Sequence, residues 1–426
     1  RVMRKPVRFY LAHVVGKSLV FGMRLLKRNA TYLPGKIALR IDPKYLAHVD
    51  KPGTIIAVTG TNGKTTAANM IGDHLKLAGE TYMHNSLGSN TLDGIASSFL
   101  GFGTITGAMP YTYGVLEIDE RSAIRIFGQM RPTYMVVTNL FRDSYARNAH
   151  TDYILSILAK ATPDSVKLVL NTEDLISWQL KPGNDRVGFS VPLLEGEVED
   201  RHSRIRDLVN CPLCHHPLEA EFIRYNHIGR YTCPACGFHS PEPDYRVEEA
   251  SLSEGYAVIS SKNANARFQL STRNIVDVYN LLSAVAVLHE IGFSLEQLAE
   301  QSRRISVVAS RFADVEVNGT RILSVLSKAS NPIASSRTFD FVRKEPGKKA
   351  IILANSDKKA GDHNLENVAW IYDNDFSYLK DPSIRQIVCC GKRYLDFAFC
   401  LALAGVEEEK ITLEEDFTKV SSVLRY

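Results

Sequence analysis

The chain has 426 residues, more than one hydrophobic core usually holds, so we expect two or three domains. Hydrophobic residues make up 45% and charged residues 23%, as in ordinary globular proteins, and no run of about 18 uncharged apolar residues is present to form a membrane-spanning helix. The net charge of +4 is too small to indicate nucleic acid, and we expect no nucleic-acid partner. Four of the seven cysteines stand in Cys-x-x-Cys pairs, which favours a cytoplasmic protein with a metal site over a disulfide framework.

The first predicted element is an amphipathic helix over 9–28, within an N-terminal helix and linker assigned to 1–45. Its basic residues have spacings of four, seven and four, which place them along one stripe: His13, Lys17, Arg24 and Arg28. We favour a helix packed on its own domain with this basic stripe in solvent. The alternative is a helix that lies on an anionic membrane surface, which would make peripheral contact with the inner face of the membrane.

A phosphate-binding loop is predicted next. The β-branched run TIIAVTG reads as a buried strand, and TTAANMIGDHLKLAG reads as a helix that ends at Gly79. Glycines between a strand and a helix let backbone N–H groups approach phosphates, and Lys64 would bridge the β- and γ-phosphates while the Thr65 hydroxyl binds Mg²⁺. The predicted nucleotide-binding residues of this loop are Gly60, Thr61, Asn62, Gly63, Lys64, Thr65 and Thr66.

Three further strands are predicted in TYGVLEIDE, PTYMVVTNL and SVKLVLNTED, with helical stretches between them. This alternation favours a mostly parallel sheet with helices on both faces. Ligands of such sheets gather at the carboxyl ends of the strands, where Lys64, Glu117 and Asn139 would meet. We therefore predict that Glu117 is a magnesium ligand, the alternative being a solvated acid at a strand end.

A four-cysteine zinc ribbon is predicted as an insertion at about 205–240. Cys211 and Cys214 form one pair, Cys233 and Cys236 the other, with eighteen residues between the pairs. Four thiolates at this spacing can surround Zn²⁺ and leave no open position, so the site would be structural. Three histidines are rival ligands that we expect to be surface residues instead: His215, His216 and His227.

The phosphate loop is similar to that of the Mur ligase superfamily, whose members use a shortened form; here only two residues separate Gly60 from the Gly63-Lys64 pair. Other stretches and the inserted ribbon resemble the MurT branch, the synthetase subunits of lipid II isoglutaminyl synthase. The stretches that carry this resemblance are YLPGKIALRIDP, GSNTLDGIAS, LEIDERS, TNLFRD, NPIASSRTFDF, VAWIYDNDF and CCGKRYLDFAFCLALAGV.

The resemblance implies an α/β fold: a P-loop Mur-ligase-type ATP-binding domain over 46–308 with the ribbon inserted, and a smaller C-terminal α/β domain over 309–426. KKAIILANSD and IRQIVCCGKR are predicted strands of the second domain. The active site would lie in the cleft between the domains, where closure would exclude water from a reactive intermediate.

The resemblance also implies the activity. Members of this branch use ATP and Mg²⁺ to activate the α-carboxylate of the D-isoglutamyl residue in the lipid II stem peptide. Ammonia from a separate GatD-like glutaminase subunit then attacks the acyl phosphate and gives D-isoglutamine. This chain has no glutaminase nucleophile motif, because Cys389 and Cys390 stand in an apolar run and are predicted to be buried, so a partner is expected.

Further site residues follow from the resemblance. Asn280 matches an asparagine beside the nucleotide, and Arg311 matches the arginine that opens the C-terminal domain. Lys64 and Glu117 would act in catalysis. The family's catalytic acids fall on Asn364 and Asn367 when the stretch is anchored on Trp370; an amide cannot accept a proton, so a neighbouring acid would have to act, from among Asp362, Asp373 and Asp357.

Two alternatives stay open. One is another Mur-like ligase that adds an amino acid, as folylpolyglutamate synthase does; the ribbon and the lack of an N-terminal sugar-nucleotide domain argue against it. The other is a catalytically weakened ATP-binding scaffold, which the two asparagines at the acid positions favour.

Overall fold

The computed structural model describes residues 5–85, 89–142, 150–197, 199, 205–272, 274–305, 312–317, 319–325, 331–355 and 368–425. Among the helices in these ranges, none has the length and apolar character to cross a bilayer. Arg311, Asp357, Asp362, Asn364 and Asn367 lie outside the described residues. The predictions made for them therefore stay predictions.

The β-strands and α-helices alternate through most of the chain. In chain order the strands are β1 (Thr54–Thr59), β2 (Tyr82–His84), β3 (Tyr113–Glu117), β4 (Tyr134–Val137), β5 (Lys167–Asn171), β6 (Arg186–Ser190), β7 (Glu219–Tyr225), β8 (Ile228–Thr232), β9 (Tyr245–Ser251), β10 (Tyr256–Ser260), β11 (Asn265–Gln269), β12 (Phe312–Val317), β13 (Thr320–Val325), β14 (Lys349–Ala354), β15 (Ile384–Cys390) and β16 (Ile411–Glu414).

In chain order the α-helices are α1 (Val7–Leu25), α2 (Leu33–Ile41), α3 (Tyr45–His48), α4 (Lys64–Leu77), α5 (Leu92–Phe102), α6 (Ala123–Phe127), α7 (Thr151–Ala161), α8 (Leu175–Trp178), α9 (Ile275–Glu290), α10 (Leu295–Ser302), α11 (Pro332–Lys344), α12 (Tyr394–Leu403) and α13 (Val420–Val423). Short 3₁₀ helices span Ala369–Asp373, Phe376–Lys380, Glu408–Lys410 and Phe417–Lys419.

The largest sheet within the described residues has nine strands in the order β11-β10-β9-β6-β5-β4-β1-β3-β2. The pairs from β2 across to β9 are parallel, whereas β9, β10 and β11 pair in antiparallel fashion. The four strands predicted from TIIAVTG to SVKLVLNTED are β1, β3, β4 and β5. The sheet is mixed because the antiparallel strands β9, β10 and β11 extend it at its far edge. This extension was not anticipated.

Two hydrophobic cores cover the two faces of this sheet. Successive residues of β1 alternate between them: Ile56 and Val58 pack with α4, α9 and α10, while Ile55 and Ala57 pack with α1, α2 and α5. This alternation follows from the two-residue period of a strand. The carboxyl ends of the parallel strands lie at the same edge of the sheet, which is where ligands of such folds bind.

Helix α1 is oriented differently from the prediction. His13 on the proposed basic stripe is buried, and its ring nitrogens lie 2.8 Å from the Tyr45 hydroxyl and 2.8 Å from the Thr104 carbonyl oxygen. The Lys17 ammonium donates to the Gly103 carbonyl. The prediction of a solvated stripe through His13 and Lys17 was wrong, because polar acceptors on the α5–β3 connection satisfy both side chains inside the fold.

The C-terminal part has its own parallel sheet, ordered β14-β15-β16, and its own core, which includes Trp370. The strands β14 and β15 confirm the two strands predicted there. Cys389 and Cys390 are both fully buried, as predicted, and burial raises the pKa of the Cys389 thiol to about 12. A thiol with that pKa is a poor nucleophile at neutral pH.

Candidate functional site

The loop between β1 and α4 has the shape that only its glycines allow. Gly60 and Gly63 have φ angles of +128° and +86°. A Cβ at Gly60 would lie 2.3 Å from the Thr138 hydroxyl, and one at Gly63 would lie 2.3 Å from the Asn280 side-chain oxygen. Both the backbone angle and the space therefore require glycine. Asn280 therefore lies against the loop, and its contact with a nucleotide stays a prediction.

The segment after β4 fixes the loop from one side. The Asn62 N–H donates to Asn139 Oδ1 at 3.0 Å, and Asn139 Nδ2 donates back to the Asn62 carbonyl at 3.0 Å. The Thr61 hydroxyl donates to the Phe141 carbonyl at 3.0 Å and accepts from the Phe141 N–H at 2.9 Å. The contacts of Asn139 and Thr61 shape the loop, and their nucleotide contacts stay a prediction.

The Lys64 ammonium is buried at the mouth of the loop. It donates to Glu120 Oε1 at 2.8 Å and also to the Gly60 carbonyl. Lys64 is 8% exposed and Glu120 is 6% exposed, so the pair is little screened by solvent. Glu120 was not among the predicted site residues. The signal for it was the cluster of acids after β3, of which only Glu117 was given a role.

Glu117 and Thr65 form the second polar contact of the loop. The Thr65 hydroxyl donates to Glu117 Oε2 at 2.7 Å, and Asn90 Nδ2 donates to Glu117 Oε1 at 3.1 Å. The Asn85 side chain bonds both the N–H and the carbonyl of Glu117, each at 2.9 Å. Adjacent oxygen ligands of Mg²⁺ lie about 3 Å apart, so the Thr65 and Glu117 oxygens suit a shared Mg²⁺ ion.

The N-terminus of α4 completes an anion-binding arrangement. The first four N–H groups of a helix have no intrahelical acceptor, and the helix dipole places partial positive charge there. In α4 these groups belong to the N-cap Gly63 and to Lys64, Thr65 and Thr66, because the Ala67 N–H already donates to the Gly63 carbonyl at 2.9 Å. Backbone donors, one ammonium and a hydroxyl–carboxylate pair therefore converge where the sequence predicts phosphates.

Asp373, a candidate catalytic acid, contacts Arg142. Arg142 Nη1 lies 3.1 Å from Asp373 Oδ2, and the same guanidinium contacts Asp207 Oδ1 through Nε at 2.8 Å and Nη2 at 2.5 Å. Arg142 directly follows Phe141, which bonds the phosphate loop. This cation was missed, although it stands in the quoted TNLFRD stretch. It connects the C-terminal region to the ATP-binding region. Burial acts to lower the pKa of Arg142, but Asp207 and Asp373 together outweigh this effect and raise it.

The four predicted cysteines meet in space. Their sulfur atoms all lie within 4.8 Å of one another, with Cys211–Cys236 at 3.6 Å and Cys214–Cys233 at 3.4 Å. Sulfur atoms bound tetrahedrally to zinc at ~2.3 Å are about 3.8 Å apart. All four are free thiols. The donor set and its spacing fit a structural Zn²⁺ ion.

Strands β7 and β8 form the hairpin between the cysteine turns, and its tip is inserted into the protein. His227 is fully buried, so its prediction as a surface residue was wrong. Its Nε2 donates to Asp174 Oδ1 at 3.2 Å, and its ring centre lies 4.8 Å from that of Phe141. His215 and His216, by contrast, are exposed, as predicted.

The hairpin tip reaches the phosphate loop through few contacts. Asp174 accepts hydrogen bonds from both His227 and the Leu140 N–H, the latter at 2.7 Å. The next residue, Phe141, is hydrogen-bonded to Thr61 of the loop. On the other side of the tip, Arg224 Nη1 donates to Glu173 Oε2 at 2.9 Å and also to the Tyr279 hydroxyl. The residue after Tyr279 is Asn280, which lies against Gly63. The tip thus supports both flanks of the loop.

Comparisons with known proteins show which proteins this chain resembles. Residues 327–424 match a family described as MurT ligase C-terminal. The chain is 28% identical over 424 residues to the lipid II isoglutaminyl synthase (glutamine-hydrolyzing) subunit MurT of Staphylococcus aureus, covering 99% of this chain and 92% of that protein. It is also 28% identical over 422 residues to the MurT subunit of Streptococcus pneumoniae, covering 96% and 90%.

Solved structures show a related fold. A pseudomurein peptide ligase type C from Methanothermus fervidus superimposes with a TM-score of 0.65 at 19% identity, covering 88% of this chain and 71% of that one. MurF ligase from Thermotoga maritima, solved with ADP, gives a TM-score of 0.58 at 14% identity and covers 92% and 78%. The fold is thus that of Mur ligases, and the resemblance to MurT, the Mur-ligase-like subunit of lipid II isoglutaminyl synthase, is confirmed along nearly the whole chain.

Proposed function

We propose that this chain is the synthetase subunit of a lipid II isoglutaminyl synthase. It would amidate the α-carboxylate of the D-isoglutamyl residue in the lipid II stem peptide, with ATP as the energy source and ammonia from a GatD-like glutaminase partner. The work would take place on the cytoplasmic side of the membrane. The observation that carries this proposal is the similarity to MurT over 99% of the chain, joined to the converging Lys64, Thr65 and Glu117 side chains.

The phosphate loop supplies positioning and charge. A carboxylate is a poor electrophile, so the reaction first needs a leaving group on its carbon, and phosphoryl transfer depends chiefly on alignment and electrostatics. Lys64 would move its ammonium from Glu120 toward the β- and γ-phosphates. Mg²⁺, held by the Thr65 hydroxyl and the Glu117 carboxylate, would neutralise phosphate charge when bound.

Two bond exchanges complete the chemistry. A substrate carboxylate oxygen attacks the γ-phosphorus and releases ADP, which gives an acyl phosphate. Ammonia then attacks the carbonyl carbon, the C–O bond to phosphate breaks, and a proton leaves the nitrogen as the amide forms. An acid of the C-terminal domain would accept that proton, with Asp362 and Asp373 as candidates. For Asp373 this requires release from Arg142.

We further propose that the domains divide at about residue 308, with the catalytic cleft between 46–308 and 309–426. Contacts between described residues support this boundary: one is the Arg142–Asp373 ion pair, and another is Arg337 of α11, whose guanidinium carbon lies 4.6 Å from the Tyr225 ring centre. Arg311 would lie at the junction. Zn²⁺ would hold the ribbon in shape and take no part in the chemistry, because four thiolates leave no coordination position for substrate.

The proposed reaction is tested by mass spectrometry of lipid II after incubation with this chain, ATP, Mg²⁺ and ammonium chloride. We expect conversion of one carboxyl to an amide and release of one phosphate per amide. A second arm replaces ammonium with glutamine and adds a glutaminase subunit, which should restore amidation only when both subunits are present.

Two results would overturn the proposal. Incorporation of an added amino acid in place of ammonia would favour the peptide-ligase alternative. ATP binding without carboxylate-dependent phosphate release, in both arms, would favour the scaffold alternative.

A further inference from the structure

Helix α1 presents an apolar stripe on the side that faces away from the protein. The stripe repeats at intervals of four, three, seven and four residues, so its members share one face of the helix. Val7, Phe21 and Leu25 are 85%, 71% and 74% exposed, far more than a packed helix needs to leave open. The stripe consists of Val7, Leu11, Val14, Phe21 and Leu25, with Tyr10 at its edge.

The opposite face of α1 fixes this orientation. Phe9 and Ala12 are fully buried in the core beneath α5, and His13 bonds Tyr45 and Thr104. Gly16 lies so close to Leu100 that a Cβ would meet that side chain at 2.6 Å. The stripe cannot turn inward without breaking these contacts, so its exposure is a feature of the folded protein.

The surroundings of the stripe are strongly basic. The first 41 residues contain ten Lys and Arg and no Asp or Glu, whereas the whole chain has a net charge of +4, so the rest is net negative. On α1, on α2 and between them, the exposed cations are Arg8, Arg24, Lys27, Arg28, Lys36 and Arg40. Exposed Leu26, Tyr32 and Leu33 extend the apolar area toward α2.

We infer that α1 and the start of α2 dock on an anionic lipid surface. An apolar stripe with a basic rim matches the boundary between acyl chains and anionic headgroups, where Lys and Arg reach outward to phosphates and aromatic rings lie at headgroup depth. A second copy of this chain would place two basic surfaces against each other, which is unfavourable. The inference does not depend on the proposed reaction, although it would bring the cleft close to a lipid-linked substrate.

The test is cosedimentation of the full chain with vesicles of phosphatidylcholine, with and without phosphatidylglycerol. We expect binding to the phosphatidylglycerol vesicles that weakens at high salt, because exposed charge pairs are screened. The double variant Phe21→Ser/Leu25→Ser should bind roughly tenfold or more weakly, since two side chains no longer enter the lipid. Its melting temperature should match the wild type, because both side chains are exposed.

A matched control lies on the C-terminal domain, where Phe417 and Leu403 are 62% and 65% exposed. The variant Phe417→Ser/Leu403→Ser should bind vesicles like the wild type. Equal binding by both double variants would overturn the inference. It would also be overturned if the wild type bound neither kind of vesicle. If the Phe21→Ser/Leu25→Ser variant keeps its vesicle binding but no longer associates with a glutaminase subunit or with a second copy of the chain, as measured by light scattering, that result would assign the stripe to a protein partner instead.

Discussion

The phosphate loop and the two cysteine turns are both tight turns, but different contacts hold them. Protein donors and acceptors hold the loop in place, through Asn139 and Phe141. Each cysteine turn has backbone bonds of its own, such as His215 N–H to the Cys211 carbonyl at 3.0 Å, but the two turns approach each other sulfur to sulfur. The loop therefore gains its shape when the chain folds, whereas four converging thiolates need a cation to offset their repulsion.

Removal of the metal ligands should have the largest effect on the cysteine turns. The variant Cys211→Ser/Cys214→Ser should lose all bound zinc, from one ion per chain to none, and should melt at a lower temperature, because structural zinc supplies ~10 kcal/mol of folding free energy. Atomic absorption and thermal unfolding measure both effects. Cys400→Ser, in the C-terminal core, should keep its zinc. A zinc-free double variant with wild-type melting would show that protein contacts alone hold the cysteine turns.

Lys64→Ala should lower the rate of amide formation by roughly 100- to 1000-fold, as loss of one preorganised charge at a transition state does. Lys64→Arg keeps a cation beside Glu120, so it should fold normally while turnover still falls. Lys76→Ala, an exposed change at the other end of α4, should behave like the wild type. Full activity of Lys64→Ala would refute the phosphate-loop assignment.

Glu117→Gln should raise the Mg²⁺ concentration for half-maximal activity by roughly tenfold or more, because an amide oxygen binds the ion less tightly than a carboxylate. A magnesium titration at saturating ATP measures this effect. Glu80→Gln, just beyond α4, serves as the matched control and should leave the titration unchanged. A Glu117→Gln variant with an unaltered magnesium requirement would leave Glu117 as a structural partner of Thr65 and Asn90.

His227→Ala should have the smallest effect, and it tests whether the cysteine module supports the phosphate loop, since His227 lies between them. Loss of its bond to buried Asp174 should reduce the free energy of unfolding by about 1–3 kcal/mol and weaken ATP binding several-fold. Calorimetry measures both quantities. His216→Ala, exposed in the same module, should change neither. Destabilisation without any change in ATP affinity would show that the hairpin tip supports the fold but not the loop.

The sequence predicted those parts of the molecule that short-range patterns determine. β1, the glycine turn and α4 form one contiguous pattern, and the cysteine spacing is itself the geometry of a metal site. The fold of Mur ligases came from resemblance and not from periodicity. Strands β9 to β11 were not anticipated, because their flanking sequence is charged and irregular.

Long-range contacts account for what was missed. Helix α1 is apolar on two opposite faces, so its period could not tell which one is buried, and the buried partners of His13 come from distant segments. His227 resembled a surface residue because nothing near it in sequence reveals that Asp174 lies beside it. Arg142 and Asp373 meet across 231 positions of the chain, beyond any local pattern.

The chain has two tryptophans, one in α8 of the larger region and one in the C-terminal core. Each half of the molecule therefore carries its own intrinsic fluorophore. Arg186 stacks near Trp178, with its guanidinium carbon 5.2 Å from the ring centre, while Trp370 sits in the 3₁₀ helix that ends at Asp373. In a Trp178→Phe variant, only Trp370 would emit, and it lies in the segment whose Asp373 contacts Arg142. Rearrangement of this segment on nucleotide binding could then be followed in real time without any attached dye.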